Sequence, residues 1–365
     1  MTTSTGTPLV PGSTIGILGG GQLGRMMAIA AGELGLKCHI YCPDAQSPAF
    51  DVASAFTCAP YEDEAALSAF ADSVDVVTYE FENVPGKTAS VLGAKVPVRP
   101  NPDVLKTTQD RLIEKTFLVE NGFAVPPFAK VGSVSDLQAA LAEIGAPAVL
   151  KTRTLGYDGK GQTVVDAETV LTEALDAIGN ALAILEAFID LACEVSVIAA
   201  RGVNGDIATY DIAENVHENH ILRTTTVPAS VSPELMDRAR AIGHKVAEEL
   251  DYIGVLAVEL FVTGDGKLLV NEIAPRVHNS GHWTQDACLI CQFEQHIRAV
   301  AGWPLGSTER HSDVVMTNLL GDEAENWTAL AAEPGARFHD YCKREARPGR
   351  KMGHINRLLP PESGV

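Results

Sequence analysis

The chain has 365 residues, which is long enough for two or three domains. Its composition, 46% hydrophobic and 21% charged, is typical of a folded globular protein. A formal net charge of −19 disfavours nonspecific binding to nucleic acid, and no apolar run approaches the roughly 20 residues of a membrane-spanning helix. The seven scattered cysteines indicate a soluble, cytoplasmic protein.

The N-terminal part has the rhythm of a parallel α/β domain. Residues 1–13 are rich in Thr, Gly and Pro, without the pattern of a signal peptide, and we expect a disordered tail there. Short apolar runs at 14–19, 37–42 and 74–79 predict strands, and helical spacing at 23–34 predicts a helix between the first two. The pattern predicts an α/β domain over residues 14–110.

The rest of the chain predicts a central domain at 111–301 and a small C-terminal domain at 302–365. Strands are expected at 148–151, 183–186 and 194–200, and helices at 233–250 and 285–300. Ser232 is a suitable N-cap for the first of these helices. Cys288 and Cys291 lie in the second, where buried free thiols are a better interpretation than a zinc site.

A first glycine-rich loop follows the first predicted strand. Gly19, Gly21 and Gly24 fit G-x-G-x-x-G between a strand and a helix, and the acidic Asp44 follows Gly24 by 20 positions. Such a loop lets backbone N–H groups approach a phosphate at a helix N-terminus. Taken alone, the motif leaves a nicotinamide dinucleotide, another phosphate compound and a ligand-free turn open.

A second glycine-rich loop follows the strand that ends at Lys151. Its residues are Gly156, Tyr157, Asp158, Gly159, Lys160, Gly161 and Gln162. Glycines combined with a lysine are typical of a flap that closes over phosphates and excludes water, and Lys151 could hold an α- or β-phosphate. A plain hairpin between two strands is the alternative.

Two glutamates are predicted to face each other across a hairpin. A two-residue turn at Asp265 and Gly266 would place Glu259 opposite Glu272, with Cβ atoms roughly 5 Å apart. Two such carboxylates among apolar neighbours repel each other unless a cation lies between them, and oxygen ligands favour Mg²⁺. Two solvated glutamates on an exposed hairpin are the alternative.

Basic residues gather near the C-terminus of this acidic chain. Lys343, Arg344, Arg347, Arg350 and Lys351 fall within nine positions, a concentration that predicts an anionic ligand. A solvated basic face is the alternative, and the absence of interleaved aromatic residues disfavours nucleic acid.

Five stretches together resemble the N5-carboxyaminoimidazole ribonucleotide synthetases, a family of ATP-grasp ligases. They are residues 20–26, 79–85, 156–162, 271–284 and 347–354. The resemblance covers residues 14–356 and implies an ATP-grasp fold with an N-terminal preATP-grasp (Rossmann-like) domain and a small C-terminal domain. It also implies the ATP- and bicarbonate-dependent carboxylation of 5-aminoimidazole ribonucleotide through carboxyphosphate, with Mg²⁺ as the cofactor, by a cytoplasmic homodimer. The chain stops soon after Asn356, earlier than is common in relatives.

The resemblance also assigns site residues. Those implied to bind ATP are Arg111, Lys151, the loop Gly156, Tyr157, Asp158, Gly159, Lys160, Gly161 and Gln162, the hinge Glu186, Ala187, Phe188 and Ile189, and Glu194, His217, Asn271 and Glu272. Those implied to bind the ribonucleotide are Gly21, Gln22, Leu23, Glu82, Arg276, His278, Arg350 and Lys351. Glu259 and Glu272 match the metal positions, and Asp158, Lys351 and Arg276 the catalytic ones.

Three other functions stay open at this point. Another ATP-grasp carboxylate-amine ligase would share the central motifs, although the stretches at 276–284 and 347–354 disfavour it. An NAD-dependent dehydrogenase would use the first glycine loop. A non-catalytic nucleotide-binding regulator is disfavoured by the intact carboxylate pair.

Overall fold

The structure is a computed structural model that describes residues 7–156 and 159–359. Within these residues the N-terminal part forms a parallel four-stranded sheet in the order β3-β2-β1-β4. Its elements are β1 (Thr14–Leu18), α1 (Gln22–Glu33), β2 (Lys37–Tyr41), a 3-10 helix (Pro48–Val52), β3 (Ala55–Thr57), α2 (Glu64–Ala71), β4 (Val76–Tyr79), α3 (Gly86–Gly93) and α4 (Pro102–Thr108). The predicted parallel α/β unit is confirmed.

The disordered tail expected at residues 1–13 is wrong for residues 7–13, and residues 1–6 lie outside the described residues. Residues 7–13 lead into β1, and the backbone N–H of Leu9 donates to the carbonyl of Ala301 at 2.9 Å. The indole N–H of Trp303 donates back to the carbonyl of Leu9 at 2.7 Å. Long-range hydrogen bonds of this kind hold a segment whose own composition gives no reason for order.

A second, antiparallel sheet has the order β5-β8-β6-β7 within the described residues. Its elements, with the helices around it, are α5 (Arg111–Glu120), β5 (Phe128–Val131), α6 (Val134–Ile144), β6 (Ala148–Thr152), β7 (Gln162–Val165), α7 (Leu171–Ala177) and β8 (Ala183–Ala187). The second glycine loop joins β6 to β7, which pair with Lys151 opposite Gln162.

The largest sheet is antiparallel and runs β14-β13-β9-β11-β12-β15-β17-β16, with β10 beside β9. Its strands are β9 (Leu191–Arg201), β10 (Ile207–Thr209), β11 (Ala213–Glu218), β12 (Ile221–Val227), β13 (Gly254–Thr263), β14 (Leu268–Ala274), β15 (Asp313–Leu320), β16 (Ala336–Asp340) and β17 (Lys351–Leu359). The last three strands come from the predicted C-terminal domain, so that domain extends the central sheet through the β12–β15 pair.

The helices that belong to this sheet are α8 (Pro233–Glu249), α9 (Thr284–Ala287), α10 (Gln292–Ala301) and α11 (Trp327–Ala331), with 3-10 helices at Asn279–Gly281 and Gly321–Asn326. The predicted N-cap is confirmed, since the Ser232 hydroxyl accepts from the N–H of Leu235 at 3.3 Å. Of the described helices, none is long and apolar enough to cross a membrane.

The single helix predicted at 285–300 is wrong. The chain leaves α9 at Cys288, whose backbone is extended and forms a bridge with Arg310, and Leu289 is 80% exposed. Cys291 then becomes the N-cap of α10. Apolar spacing continues through this break because Cys288 lies outside a helix but is still buried, against the segment that contains Thr308 and Arg310.

Candidate active site

The hairpin of β13 and β14 places Glu259 directly opposite Glu272, as predicted. The predicted turn, however, is wrong. Thr263 and Lys267 pair around three residues, with Gly266 at φ +74°, so the turn alone would shift the register by one. A bulge between Glu259 and Leu260 on the pairing with β14 restores it. The two carboxylates therefore meet because two irregularities compensate each other.

The electrostatics of this pair are those of two carboxylates held together. Burial and the charge of Glu272 raise the pKa of Glu259 to about 7. The Nε2 atom of His278 lies 3.4 Å from a carboxylate oxygen of Glu259, and burial, Arg276 and Lys351 hold the pKa of His278 well below its usual value. The imidazole is therefore neutral and does not neutralise the pair.

Lys151 stands at the end of β6, where its ammonium donates to Glu186 at 2.9 Å. A second ammonium, that of Lys115 on α5, lies 3.8 Å from the same carboxylate oxygen. Burial raises the pKa of Glu186, but Lys151 and Lys115 hold it below the usual value. Glu186 thus stays ionised at the start of the predicted adenine hinge.

The rest of that hinge leaves the sheet at once. Ala187 ends β8, Phe188 is 53% exposed, and Ile189 is half-buried. Beyond it, Glu194 on β9 lies 3.0 Å from the Nδ1 atom of His217 on β11. Burial lowers the pKa of His217, but the adjacent Glu194 carboxylate leaves it raised overall.

Arg111 fastens the base of the second glycine loop. Its guanidinium donates to the carbonyls of Thr152 at 2.9 Å and Gly156 at 2.8 Å. A Cβ atom on Gly156 would come within 2.8 Å of the carbonyl of Lys160 and 3.0 Å of the Arg111 guanidinium. Only glycine allows this close approach.

The far side of the loop is equally tight. Gly159 and Gly161 have φ of +77° and +70°, and Lys160 between them is exposed. The predicted loop residues Tyr157 and Asp158 lie outside the described residues. The loop therefore combines features of both interpretations: its base is narrow and lined by glycines, as in a flap, and it joins two paired strands, as in a hairpin.

The first glycine loop is occupied by a side chain of the protein itself. The carboxylate of Glu80, just after β4, accepts from the backbone N–H of Gly21 at 2.7 Å and of Gly24 at 2.8 Å. Gln22 and Leu23 begin α1 between them. A carboxylate at this helix N-terminus competes with and repels a dinucleotide pyrophosphate. The dehydrogenase hypothesis therefore loses its binding site.

Glu80 also explains the glycines. A Cβ atom on Gly19 or Gly21 would come within 3 Å of the Glu80 side chain. Burial raises the pKa of Glu80 overall, and the hydrogen bonds from Gly24 and Gly21 offset part of that rise. The G-x-G-x-x-G spacing thus accommodates an internal carboxylate.

A cavity of about 320 Å³ opens beside this loop. Its lining includes Gly19, Gly20, Gly21, Asp44, Ser47, Tyr61, Glu80, Phe81, Lys343 and Arg350. The two cations come from the predicted basic cluster, and the ammonium of Lys343 donates to the carbonyl of Lys351 at 2.7 Å. The cluster therefore faces the N-terminal domain across a cavity with a glycine wall.

One ion pair joins this cavity region to the carboxylate pair. The guanidinium of Arg276, just beyond β14, binds both carboxylate oxygens of Glu82, with one N–O distance of 3.1 Å. Lys351 at the start of β17 lies close enough to lower the pKa of both Glu259 and His278. The predicted phosphate, metal and ribonucleotide residues thus adjoin one another.

Three residues of this region were missed in the sequence. Glu80 lies in a motif that resembled the family, but nothing local shows that its carboxylate reaches the glycine loop. Lys115 follows Arg111 by one helical turn and is 1% exposed, and a lysine in an amphipathic helix normally signals an exposed face. Lys343 was counted in the basic cluster without a specific role.

Three sequence models of known families match the chain. They are the ribonucleotide synthetase preATP-grasp domain at residues 13–109, the ATP-grasp domain at 116–293 and the phosphoribosylaminoimidazole carboxylase C-terminal domain at 314–362. The fold and the site therefore define an ATP-grasp enzyme.

Individual relatives show which family of ATP-grasp enzymes the chain belongs to. The chain is 52% identical to an N5-carboxyaminoimidazole ribonucleotide synthase of Brucella melitensis, over 97% of this chain and 98% of that protein. A synthetase of Staphylococcus aureus complexed with ADP superposes with a TM-score of 0.93 at 38% identity, covering 98% and 96% of the two chains. The chain belongs to the N5-carboxyaminoimidazole ribonucleotide synthase family.

A structure with lower sequence identity contains both a nucleotide and a ribonucleotide. The synthase of Aspergillus clavatus, in complex with ADP and 5-aminoimidazole ribonucleotide, superposes with a TM-score of 0.90 at 28% identity, covering 96% of this chain and 95% of that one.

Proposed function

We propose that this chain carboxylates 5-aminoimidazole ribonucleotide to N5-carboxyaminoimidazole ribonucleotide, in a reaction that uses ATP and bicarbonate and releases ADP and phosphate in purine biosynthesis. The observation that carries the proposal is the Arg276–Glu82 pair, which joins the carboxylate hairpin to a cavity lined by Lys343 and Arg350. The Aspergillus clavatus relative, which holds ADP and the ribonucleotide together, supports it.

The nucleotide would lie between the small sheet and the hairpin. Lys151 and Arg111 would hold its phosphates under the second glycine loop, since an ammonium and a guanidinium form strong charge-assisted hydrogen bonds to phosphate. The hinge from Glu186 to Ile189 would hold the adenine, and Glu194 and His217 would meet the ribose. These roles come from the family, and the Lys151–Glu186 contact of 2.9 Å supports them.

The donor set at the hairpin fits Mg²⁺. Glu259 and Glu272 supply oxygen ligands only, and burial beside Glu272 raises the pKa of Glu259 to about 7, a cost that a bound cation would relieve. Within the described part of the chain no group of three His, Cys, Asp or Glu side chains forms a ready cation site, so phosphate oxygens and Asn271 would complete the ligands. When bound, Mg²⁺ supplies charge neutralisation for phosphoryl transfer.

The chemistry would proceed in two steps. A bicarbonate oxygen attacks the γ-phosphorus and the bond to the β-phosphate oxygen breaks, giving carboxyphosphate and ADP. The carboxyl group then passes to the exocyclic nitrogen of the ribonucleotide, phosphate leaves, and the nitrogen loses a proton. Arg276 and Lys351 would stabilise the anions, and Asp158, by resemblance, would take the proton. Closure of the glycine loop would keep water from carboxyphosphate.

The test is ADP release by the purified chain with ATP and Mg²⁺. We expect full turnover only when bicarbonate and 5-aminoimidazole ribonucleotide are both present, and at least about a tenfold loss when either is omitted. Full ADP release with another amine acceptor in place of the ribonucleotide would instead identify another carboxylate-amine ligase.

We also propose a cytoplasmic homodimer, following the family. Sedimentation equilibrium at micromolar concentration would give twice the mass of the 38.7 kDa chain. A concentration-independent monomer would contradict this.

A further inference from the structure

Among the described strands, β14, which carries the proposed metal ligand Glu272, lies at the edge of the large sheet and pairs only with β13. The outward backbone groups of an edge strand have no strand partner and need other ones. In β14 the N–H of Val270 donates to the carbonyl of Ala124 at 2.8 Å. The next groups along the edge are bound by two adjacent ionisable side chains of α5.

Lys115 and Glu114 bracket Glu272 from its two sides. The ammonium of Lys115 donates to the carbonyls of Val270 at 3.2 Å and Asn271 at 2.7 Å. The carboxyl of Glu114 accepts from the N–H of Ile273 at 3.3 Å. Glu114 and Lys115 are 3% and 1% exposed.

The bracketed segment contains the irregularity that aligns the carboxylates. Glu259 pairs with Glu272 but Leu260 pairs with Val270, so Asn271 is the extra residue of the bulge. A slip of one residue turns every side chain of a strand to the opposite face. The bulge therefore decides whether Glu272 faces Glu259, and Lys115 binds the carbonyl of the bulged residue itself.

We propose that Glu114 and Lys115 are positioning residues, a clamp that holds the Asn271 bulge and so aims the Glu272 carboxylate at the metal. The inference rests on the proposed metal role of Glu259 and Glu272. The clamp acts through the backbone of β14.

Two observations favour this role over a simple cap for an edge strand. Burying the ammonium of Lys115, which is 1% exposed, is more costly than capping an edge with a neutral group, so its charge calls for a further reason. The same ammonium also lies 3.8 Å from Glu186, and Arg111 one turn earlier holds Thr152 and the glycine loop. Helix α5 thus joins the proposed metal strand to the nucleotide side.

The experiment measures ADP release by the full chain against free Mg²⁺ at saturating substrates. For Lys115→Met we expect the half-saturating Mg²⁺ concentration to rise at least about tenfold, because Glu272 loses its alignment. ADP affinity in EDTA, measured by calorimetry, should stay within about threefold. Lys245→Met is the matched control, since Lys245 also donates to a backbone carbonyl, that of Asn121 at 2.5 Å, but to none that the hydrogen bonds of the described residues assign to β14.

Glu114→Leu removes the other half of the clamp and decides the question if Lys115→Met does not fold. We expect its half-saturating Mg²⁺ concentration to rise at least about threefold. A fall in melting temperature with unchanged Mg²⁺ dependence in the folded variants would reduce Lys115 and Glu114 to an edge cap and overturn the proposal.

Glu272→Gln separates this proposal from the metal assignment. Wild-type Mg²⁺ dependence in Glu272→Gln would overturn the metal site and the clamp together. Impaired Mg²⁺ dependence in Glu272→Gln, but not in the clamp variants, would overturn the clamp alone.

Discussion

At the scale of single residues, the ammonium of Lys151 has two anionic partners, a carboxylate of the protein and, by proposal, a phosphate of the nucleotide. It binds Glu186 at 2.9 Å, and in the proposed complex it also binds a nucleotide phosphate. An ammonium has three donors, so it can hold both. A second ammonium, that of Lys115, lies 3.8 Å from the same carboxylate.

We expect Lys151→Ala to weaken ATP binding by about 1–3 kcal/mol, the contribution of a charge-assisted hydrogen bond. Isothermal titration calorimetry would measure it. Lys130→Ala is the control, because Lys130 is an exposed lysine on β5 of the same small sheet. Equal ATP affinity in the two variants would remove Lys151 from the phosphate site.

At the scale of elements, helix α10 connects two sheets through one buried imidazole. The Nδ1 atom of His296 accepts from the N–H of Val255 on β13 at 3.0 Å, and its Nε2 atom lies 2.8 Å from the hydroxyl of Thr78 on β4. Because the Nδ1 atom accepts this hydrogen bond, it must carry a lone pair and no proton, so the His296 ring is neutral. Burial accordingly lowers the pKa of His296 to about 4.

The depressed pKa predicts a stability that falls in acid. The unfolded chain binds this proton below about pH 6.5 and the folded chain only near pH 4, so stability is present above pH 6.5 and is lost as the pH falls towards 4. Between pH 7 and pH 5, this difference in proton binding should lower the free energy of unfolding by about 2 kcal/mol.

Urea denaturation at pH 7 and pH 5 would measure this loss. His296→Gln keeps a donor and an acceptor but does not titrate. The loss of unfolding free energy between the two pH values should therefore be smaller than in the wild type by about 2 kcal/mol. His244→Gln, at a half-exposed histidine, is the matched control substitution. An equal acid loss in His296→Gln would contradict the assignment.

At the scale of the whole molecule, the site exists only where the three parts meet. Glu82 comes from the N-terminal domain, Arg276 from the central domain, and Lys351 from the C-terminal strands. Lys351 follows Arg350 of the cavity and lies near Glu259, so it stands between the proposed ribonucleotide and metal sites.

We expect Lys351→Ala to lower kcat/KM for the ribonucleotide at least about tenfold while ATP affinity stays within about threefold. The reason is that the ATP phosphates have their own cations in Lys151 and Arg111. Steady-state kinetics with each substrate varied in turn would measure the two effects, with Lys106→Ala as a control outside both sites. Equal losses for both substrates would mean that Lys351 closes the whole site.

Local patterns carried much of the fold. The apolar runs before and after the first glycine loop predicted β1, α1 and β2, because strand and helix periodicity are properties of neighbouring residues. The same reasoning failed for 285–300, where the burial of Cys288 imitates helical spacing. The pairing of Glu259 with Glu272 was predicted correctly from a wrong turn, because the bulge that corrects it has no local signature.

The sequence by itself determined the chemical groups of the site: two glycine loops, a pair of glutamates in one hairpin and a basic cluster in an acidic chain. Tertiary structure alone decided what those groups face. It brought Glu80 onto the first glycine loop, Lys115 onto the bulge at Asn271, and Arg276 onto Glu82, which is 194 positions away. The physical reason is that a charged side chain takes its partner from the residues packed around it, and these come from distant parts of the chain.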